Sequence, residues 1–120
     1  MSQQFSDQPL PEITVEELAS RLGEGVPENL QLIDVREPLE IEIAFIKGFT
    51  VFPLSQFPEW SDQVDVHLDS NKETLVLCHH GMRSAQMCQW LISKGFTNVK
   101  NIVGGIDAYS IVVDKDIPRY

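Results

Sequence analysis

The sequence predicts one α/β domain built on a central, mostly parallel sheet with helices on both faces. Strand-like apolar runs alternate along the chain with stretches of helical periodicity, which is the pattern of this class. A length of 120 residues suits a single domain with a core of ordinary size. A hydrophobic content of 42% with 22% charged residues is typical of globular proteins. We therefore expect a domain over residues 13–120, preceded by an arm over residues 1–12 that carries two prolines and no periodicity.

Cap signals and periodicity place the predicted helices. Residues 14–22 are predicted to be helical, because Thr14 and Glu17 have the spacing of a capping box and apolar residues follow at helical intervals. Pro38 suits the first turn of a short helix that continues to about Ala44. The other helix-like segments are 56–60, which Ser55 is expected to cap, 61–69, and 84–94, which Gly95 closes.

Short β-prone runs place the predicted strands at 30–35, 48–53, 74–77 and 99–103. In open parallel sheets, sites form beyond the carboxyl ends of the strands. Asp34 and Arg36 lie at the end of the first of these runs, and Cys78 follows the third. We therefore expect all three residues at the same edge of the sheet.

The segment 78–84, Cys-His-His-Gly-Met-Arg-Ser, contains the candidate nucleophile, Cys78. It joins a buried strand to a helix, so loop amides and the free N–H groups of the helix start create a positive pocket. Such a pocket favours a thiolate, which is the nucleophilic form of cysteine, or a bound anion. Gly81 allows the backbone to curl around the sulfur, and Arg83 adds a permanent cation.

The other four residues of this loop are His79, His80, Met82 and Ser84. Met82 is expected at the rim, and Ser84 is expected to cap the following helix. His79 and His80 either shape the rim and its field, or one of them donates a hydrogen bond or positive charge to an anionic substrate. No metal or other cofactor is predicted, because adjacent residues cannot readily reach one ion and no Cys-x2-Cys or His-x3-His pair occurs.

The second cysteine, Cys88, is predicted to lie in the core, on the apolar face of the helix that follows the loop. A disulfide with Cys78 would distort the start of that helix. A role for Cys88 as a second sulfur carrier or resolving thiol is the minor alternative.

Charge and hydropathy limit the partners and the location. A net charge of −9 argues against nucleic acid or an acidic membrane surface as a partner. The sequence contains no run of about 18 apolar residues, so no membrane span is predicted. The N-terminal residues lack the basic and apolar regions of a signal peptide, so we expect a cytoplasmic protein.

Four blocks along the chain resemble those of a single-domain rhodanese. They are Leu-Ile-Asp-Val-Arg-Glu-Pro at 32–38, Ile46-x-Gly48 followed by Pro53-Leu54-Ser55, the loop 78–84, and Gly104-Gly105-Ile106-x-Ala108. The resemblance spans about residues 13–120 and implies a rhodanese-like fold. It also implies a thiosulfate sulfurtransferase-like enzyme that carries a sulfane sulfur as a persulfide on Cys78.

The resemblance further implies the roles of the neighbouring residues and the partners. Residues 79–83 would cradle the persulfide, and Asp34 and Arg36 would support the loop. The donor would be a small anion such as thiosulfate, and a sulfur-carrier or desulfurase protein is a further possible partner. Phe45 and Tyr109 depart from the family pattern, which commonly has His and Trp there, but neither residue belongs to the loop.

Two other functions stay open on the same fold. Cysteine-dependent phosphatases and arsenate reductases have five residues between Cys and Arg, whereas four separate Cys78 from Arg83. The shorter loop suits a single sulfur atom better than a tetrahedral phosphate. A non-catalytic rhodanese-like interaction module is the third possibility, although such modules often lack the cysteine.

Overall fold

The computed structural model describes residues 9–23 and 25–120, which form a five-stranded parallel sheet with helices packed on it. The strands are β1 (Glu12–Ile13), β2 (Leu30–Asp34), β3 (Thr50–Val51), β4 (Glu73–Leu77) and β5 (Val99–Ile102). Their order across the sheet is β1-β5-β4-β2-β3, and every pairing is parallel. The predicted α/β class is confirmed.

Six helices connect or flank the strands in the described part of the chain. They are α1 (Val15–Arg21), α2 (Pro38–Ile43), α3 (Phe57–Trp60), α4 (Val64–His67), α5 (Met82–Ser93) and α6 (Gly105–Val112). Short 3-10 turns at Leu54–Gln56 and Ser61–Gln63 precede α3 and α4. The segment predicted as a helix at 61–69 is therefore broken into a turn and a single four-residue helix.

The central strand β4 is buried on both faces of the sheet. Leu75 and Leu77 pack in a core cluster that includes side chains of α1 and α6. Val76 packs in a second cluster, which includes side chains of α3, α4 and α5. Because alternate side chains of a strand point to opposite faces, a strand covered on both sides needs consecutive apolar residues, which β4 has at 75–77. This placement confirms that helices cover both faces of the sheet.

The predicted cap of α1 is present. The Glu17 amide donates to Thr14 Oγ1 at 3.1 Å, and the Thr14 amide donates to Glu17 Oε1 at 2.9 Å, which completes a capping box. Pro38 begins α2, as predicted. Both helices thus start where short-range sequence signals place them.

Two predicted caps are wrong. Gly81, not Ser84, precedes α5, because a residue with φ of 106° redirects the chain there and glycine adopts this conformation without strain. Ser84 lies inside α5 and is fully buried. Ser55 lies within a 3-10 turn, where its hydroxyl donates to Glu37 and does not accept from the amides at the start of α3.

The predicted N-terminal arm is described only in part. Residues 1–8 lie outside the described residues. Glu12, the last residue of that segment, already belongs to β1 and pairs in register with Asn101 of β5. The backbone carbonyl of Pro11 also accepts a hydrogen bond from the Asn101 amide at 2.9 Å. The segment that precedes the domain therefore joins the sheet at its last residue.

Removal of the α1 cap should destabilise the fold. We expect Thr14→Ala to lower the free energy of unfolding by about 1 kcal/mol, because the Glu17 amide in the first turn of the helix loses its side-chain acceptor. Urea denaturation measures this change. Ser20→Ala, in the exposed last turn of the same helix, is the matched control and should change the stability by less than about 0.5 kcal/mol. Equal effects of the two substitutions would contradict the capping role.

Candidate active site

Cys78 follows β4 directly and lies at the floor of the loop that leads into α5. Its exposed fraction is 1%. The neighbouring strand β2 ends at Asp34, which is in register with Leu77, the residue before Cys78. The Val35 amide also donates to the Leu77 carbonyl at 3.0 Å. The structure therefore brings the ends of the two strands together at one edge, as the sequence predicts.

A closed ring of hydrogen bonds surrounds the Cys78 sulfur. The Gly81 amide lies 3.0 Å from Sγ, and Ser84 Oγ lies 3.2 Å from it. The Ser84 hydroxyl donates to Asn101 Oδ1 at 2.5 Å. Asn101 Nδ2 in turn donates to the Gly81 carbonyl at 3.0 Å. The ring fixes both groups that contact the sulfur.

The Ser84 hydroxyl has a single proton and two neighbours that can accept it. In the arrangement above Asn101 accepts that proton, so the thiol of Cys78 donates toward Ser84 Oγ. A thiolate has no proton to give, and the Ser84 hydroxyl would then have to turn toward the sulfur to donate. Ser84 is therefore a partner of the sulfur rather than a helix cap, because a buried hydroxyl needs a hydrogen-bond partner.

Sequence reasoning missed Asn101 altogether. It is a buried polar residue in the otherwise largely apolar strand β5. A buried amide in a core strand is unusual, since its polar atoms require partners there. That unusual position was the available signal, but its partner Ser84 lies 17 positions away in the sequence.

The start of α6 holds the backbone of the loop. The Ile106 amide donates to the Cys78 carbonyl at 2.9 Å, and the Asp107 amide donates to the His79 carbonyl at 3.1 Å. Gly105 has φ of 63°, and a Cβ at this position would lie 2.4 Å from both of these carbonyl oxygens. Only glycine therefore allows α6 to approach the loop this closely.

The two histidines lie on the outer side of the loop. The His79 ring stacks on Tyr120 at 3.9 Å with an angle of 3°, and it also lies 3.9 Å from the His80 ring. Burial, and then the proximity of His80, lower the pKa of His79 from its usual value. His79 is therefore neutral near pH 7, which favours a shaping role over a cationic one. His80 is more exposed and lies 3.9 Å from Asp107.

Arg83 is engaged with a carboxylate from another helix. Its two terminal nitrogens lie 2.7 and 2.9 Å from the two oxygens of Glu40 in α2. This pair holds the pKa of Glu40 at about 2 and raises the pKa of Arg83. Met82, the residue before Arg83, is exposed at the rim. The cation of the loop thus joins α5 to α2.

Asp34 and Arg36 form a buried ion pair behind the Arg83–Glu40 pair. Arg36 is fully buried, and its guanidinium binds both Asp34 oxygens at 2.8–3.1 Å. It also donates to the Ala44 carbonyl at 2.9 Å and to the Tyr120 hydroxyl at 2.9 Å. Tyr120 reaches Glu40 at 2.9 Å as well. Asp34 and Arg36 therefore act on the loop through Glu40 and Tyr120.

Cys88 lies in the apolar cluster beneath α5, which confirms its predicted place in the core. Burial, and then the charge of a Cys78 thiolate, raise the pKa of Cys88 to about 12. Cys88 therefore stays a thiol at neutral pH, and a thiol is a poor nucleophile.

Within residues 9–23 and 25–120, no group of three or more His, Cys, Asp or Glu side chains is arranged to hold a metal ion. In the same part of the chain no helix is both long and apolar enough to cross a membrane.

The family of rhodanese-like domains matches residues 14–111 of the chain, so the chain belongs to this family. Its structure superposes on a rhodanese-like domain protein from Staphylococcus aureus with a TM-score of 0.72, at 25% identity, covering 92% of this chain and 99% of that protein. The resemblance noted from the sequence and the expected rhodanese-like fold are both confirmed.

Three relatives extend the comparison. The rhodanese-like/PpiC domain-containing protein 12, chloroplastic, of Arabidopsis thaliana is 52% identical over 114 residues, covering 94% of this chain and 38% of that protein. A sulfurtransferase of Allochromatium vinosum is 30% identical, covering 82% and 87% of the two chains. The adenylyltransferase and sulfurtransferase MOCS3-1 of Zea mays is 36% identical over 117 residues, covering 92% of this chain and 25% of that protein. The chain thus spans less than two thirds of the Arabidopsis and maize relatives.

The approach of α6 to the loop can be tested with a methyl group. Gly105→Ala should slow alkylation of Cys78 by iodoacetamide at least severalfold, because the added Cβ pushes the loop carbonyls away. It should also cost more stability than the roughly 1–2 kcal/mol expected for alanine in a left-handed conformation.

Gly95→Ala is the matched control for this experiment. Gly95 also has a positive φ, of 102°, but a Cβ there meets no atom within 4 Å. The Gly95→Ala variant should therefore lose stability only through its backbone conformation, and its Cys78 should be alkylated at the wild-type rate. Equal losses of stability with unchanged alkylation in both variants would contradict the role of Gly105.

Proposed function

We propose that this protein is a sulfurtransferase that moves a sulfane sulfur through a persulfide on Cys78. The observation that carries the proposal is the position of Sγ, which lies 3.0 Å from the Gly81 amide and 3.2 Å from Ser84 Oγ. Both groups can donate to an anionic sulfur. Membership of the rhodanese-like domain family and the relatives named sulfurtransferases support the same class.

The reaction has two steps. The Cys78 thiolate attacks the outer sulfur of a donor such as thiosulfate, an S–S bond forms, and sulfite leaves with the electron pair of the bond that breaks. A nucleophilic acceptor, such as a thiolate, then attacks the terminal sulfur and releases the Cys78 thiolate. Hydrogen bonds from the Gly81 amide, and from the Ser84 hydroxyl once it turns toward the sulfur, stabilise the Cys78 thiolate, which is the nucleophile of the first step and the leaving group of the second.

The size of the loop supports transfer of sulfur rather than phosphate. Four residues separate Cys78 from Arg83, and the Arg83 guanidinium is bound to Glu40. Phosphoryl transfer requires cationic and amide donors around three equatorial oxygens. A phosphatase or arsenate reductase, and a non-catalytic interaction module, are the alternatives that the experiments below separate.

The proposed partners are a small anionic sulfur donor and a sulfur-carrier or desulfurase protein. A putative sulfur carrier protein of Bacillus subtilis is 32% identical over 81% of this chain, and the maize relative is named an adenylyltransferase and sulfurtransferase. A cytoplasmic location stays a prediction, and the Arabidopsis relative is named chloroplastic.

Substitution of each cysteine separates the two thiols. Cys78→Ser should abolish transfer of sulfur from thiosulfate to cyanide, because the nucleophile is lost. Cys88→Ala should retain most of this activity, because Cys88 is buried in the core with a pKa of about 12. Thiocyanate formation measures both rates. Equal loss in two folded variants would contradict a single-cysteine mechanism and indicate relay between the thiols.

The loop should also discriminate between sulfur and phosphate. The protein should transfer sulfur from thiosulfate and should not hydrolyse aryl phosphates appreciably, because the Gly81 amide and the Ser84 hydroxyl meet at Sγ and a phosphoryl group needs a wider ring of donors. Insertion of one glycine between Gly81 and Met82 should weaken sulfur transfer, since it separates the Gly81 amide from α5. Hydrolysis of aryl phosphates through Cys78, with no persulfide formed, would show that the proposed function is wrong.

A further inference from the structure

Each of the four arginines in the chain is paired with a carboxylate. The pairs are Arg21–Glu73, Arg36–Asp34, Arg83–Glu40 and Arg119–Asp107. The pairing at Arg83 matters most for the site, because Arg83 is the permanent cation of the Cys78 loop. Its charge is matched by Glu40, so the pair as a whole contributes almost no net charge to the pocket.

Several contacts keep Glu40 in this position. Besides Arg83, Glu40 accepts hydrogen bonds from the Glu37 amide at 2.9 Å and the Tyr120 hydroxyl at 2.9 Å. Its carboxyl is ionised at neutral pH, since these partners hold its pKa at about 2. Glu40 and Arg83 are both partly exposed, with 18% and 36% of their side chains accessible. The pair is thus preorganised but still close to solvent.

The charge of a sulfur donor decides how strongly it responds to such a pair. Thiosulfate carries two negative charges at neutral pH, whereas the persulfide of a neutral thiol carries at most one. A unit charge near the site changes the binding free energy in proportion to the charge of the ligand. The Glu40 carboxylate, which offsets the charge of Arg83, therefore weakens binding of thiosulfate more than binding of a persulfide.

We propose that Glu40 is a specificity-determining residue that biases the Cys78 site toward monoanionic persulfide donors and against dianionic thiosulfate. The inference rests on the proposed function and names the donor class for the same site. Both donors yield the same product. With a hydropersulfide, the Cys78 thiolate attacks the terminal sulfur, the new S–S bond forms, and the donor thiolate leaves with the electron pair of the old one.

A double-mutant cycle that removes the charges of Glu40 and Arg83 singly and together tests the proposal. Glu40→Gln keeps the shape and frees the charge of Arg83, so KM for thiosulfate should fall about three- to tenfold. Arg83→Gln leaves Glu40 uncompensated, so KM should rise by a similar factor. The double variant restores neutrality and should return close to the wild-type KM. Glu42→Gln, an exposed position on the same helix, controls for the overall change in charge.

Two readouts separate electrostatics from a merely structural effect. The ratio of kcat/KM for thiosulfate to that for 2-mercaptoethanol hydropersulfide should rise in Glu40→Gln and fall in Arg83→Gln. Both changes should shrink as salt is added, because ions screen charges near solvent. Thermal unfolding of each variant checks that the fold is retained, and Arg83→Gln keeps the test available if Glu40→Gln does not fold.

Binding without chemistry separates this inference from the proposed function. Thiosulfate affinity is measured by calorimetry on Cys78→Ser and on Cys78→Ser combined with Glu40→Gln. Tighter binding by the combined variant supports the role of Glu40, and equal or weaker binding overturns it. Unchanged selectivity in folded Glu40→Gln, or the same gain in the double variant, also overturns it. A wild-type protein that forms no persulfide with either donor defeats the proposed function, while the calorimetry still decides on Glu40.

Discussion

The contact between α6 and the loop after β4 is the constraint on which the site depends. Two amides at the start of α6 donate to the carbonyls of Cys78 and His79. The two carbonyls lie so close to Gly105 that no side chain fits at that position. These bonds turn the two carbonyls toward α6. The Gly81 amide of the same loop donates to the Cys78 sulfur. The buried ring through Ser84 and Asn101 then fixes the sulfur from the other side.

A second layer connects the loop to the rest of the sheet through charged groups. The fully buried guanidinium of Arg36 ties Asp34 at the end of β2 to Ala44 after α2 and to Tyr120. Tyr120 and the backbone of α2 then hold Glu40, which holds Arg83. A buried guanidinium requires this degree of pairing, because an unpaired charge in the core is costly. The position of Arg83 is thus set from behind the loop rather than by a ligand.

Local signals in the sequence predicted the parts of the fold that depend on neighbouring residues. The capping box of Thr14, the start of α2 at Pro38 and the position of Cys78 after β4 follow from short-range patterns, and the structure confirms them. The contacts that complete the site join distant positions, such as Ser84 with Asn101 and Arg83 with Glu40. These contacts depend on the order of strands in the sheet, which local patterns do not contain. For the same reason Ser84 was predicted as a helix cap, the role that its place before an apolar helical run favoured.

The central claim is that the ring of hydrogen bonds around Cys78 supports a persulfide. Intact-mass spectrometry after brief exposure to thiosulfate or a hydropersulfide, with and without a reductant, measures this most directly. The account predicts one added sulfur atom on the wild-type protein, its removal by the reductant, and no added sulfur on Cys78→Ser. A wild-type protein that gains no sulfur, or a Cys78→Ser protein that gains sulfur on Cys88, would contradict the account.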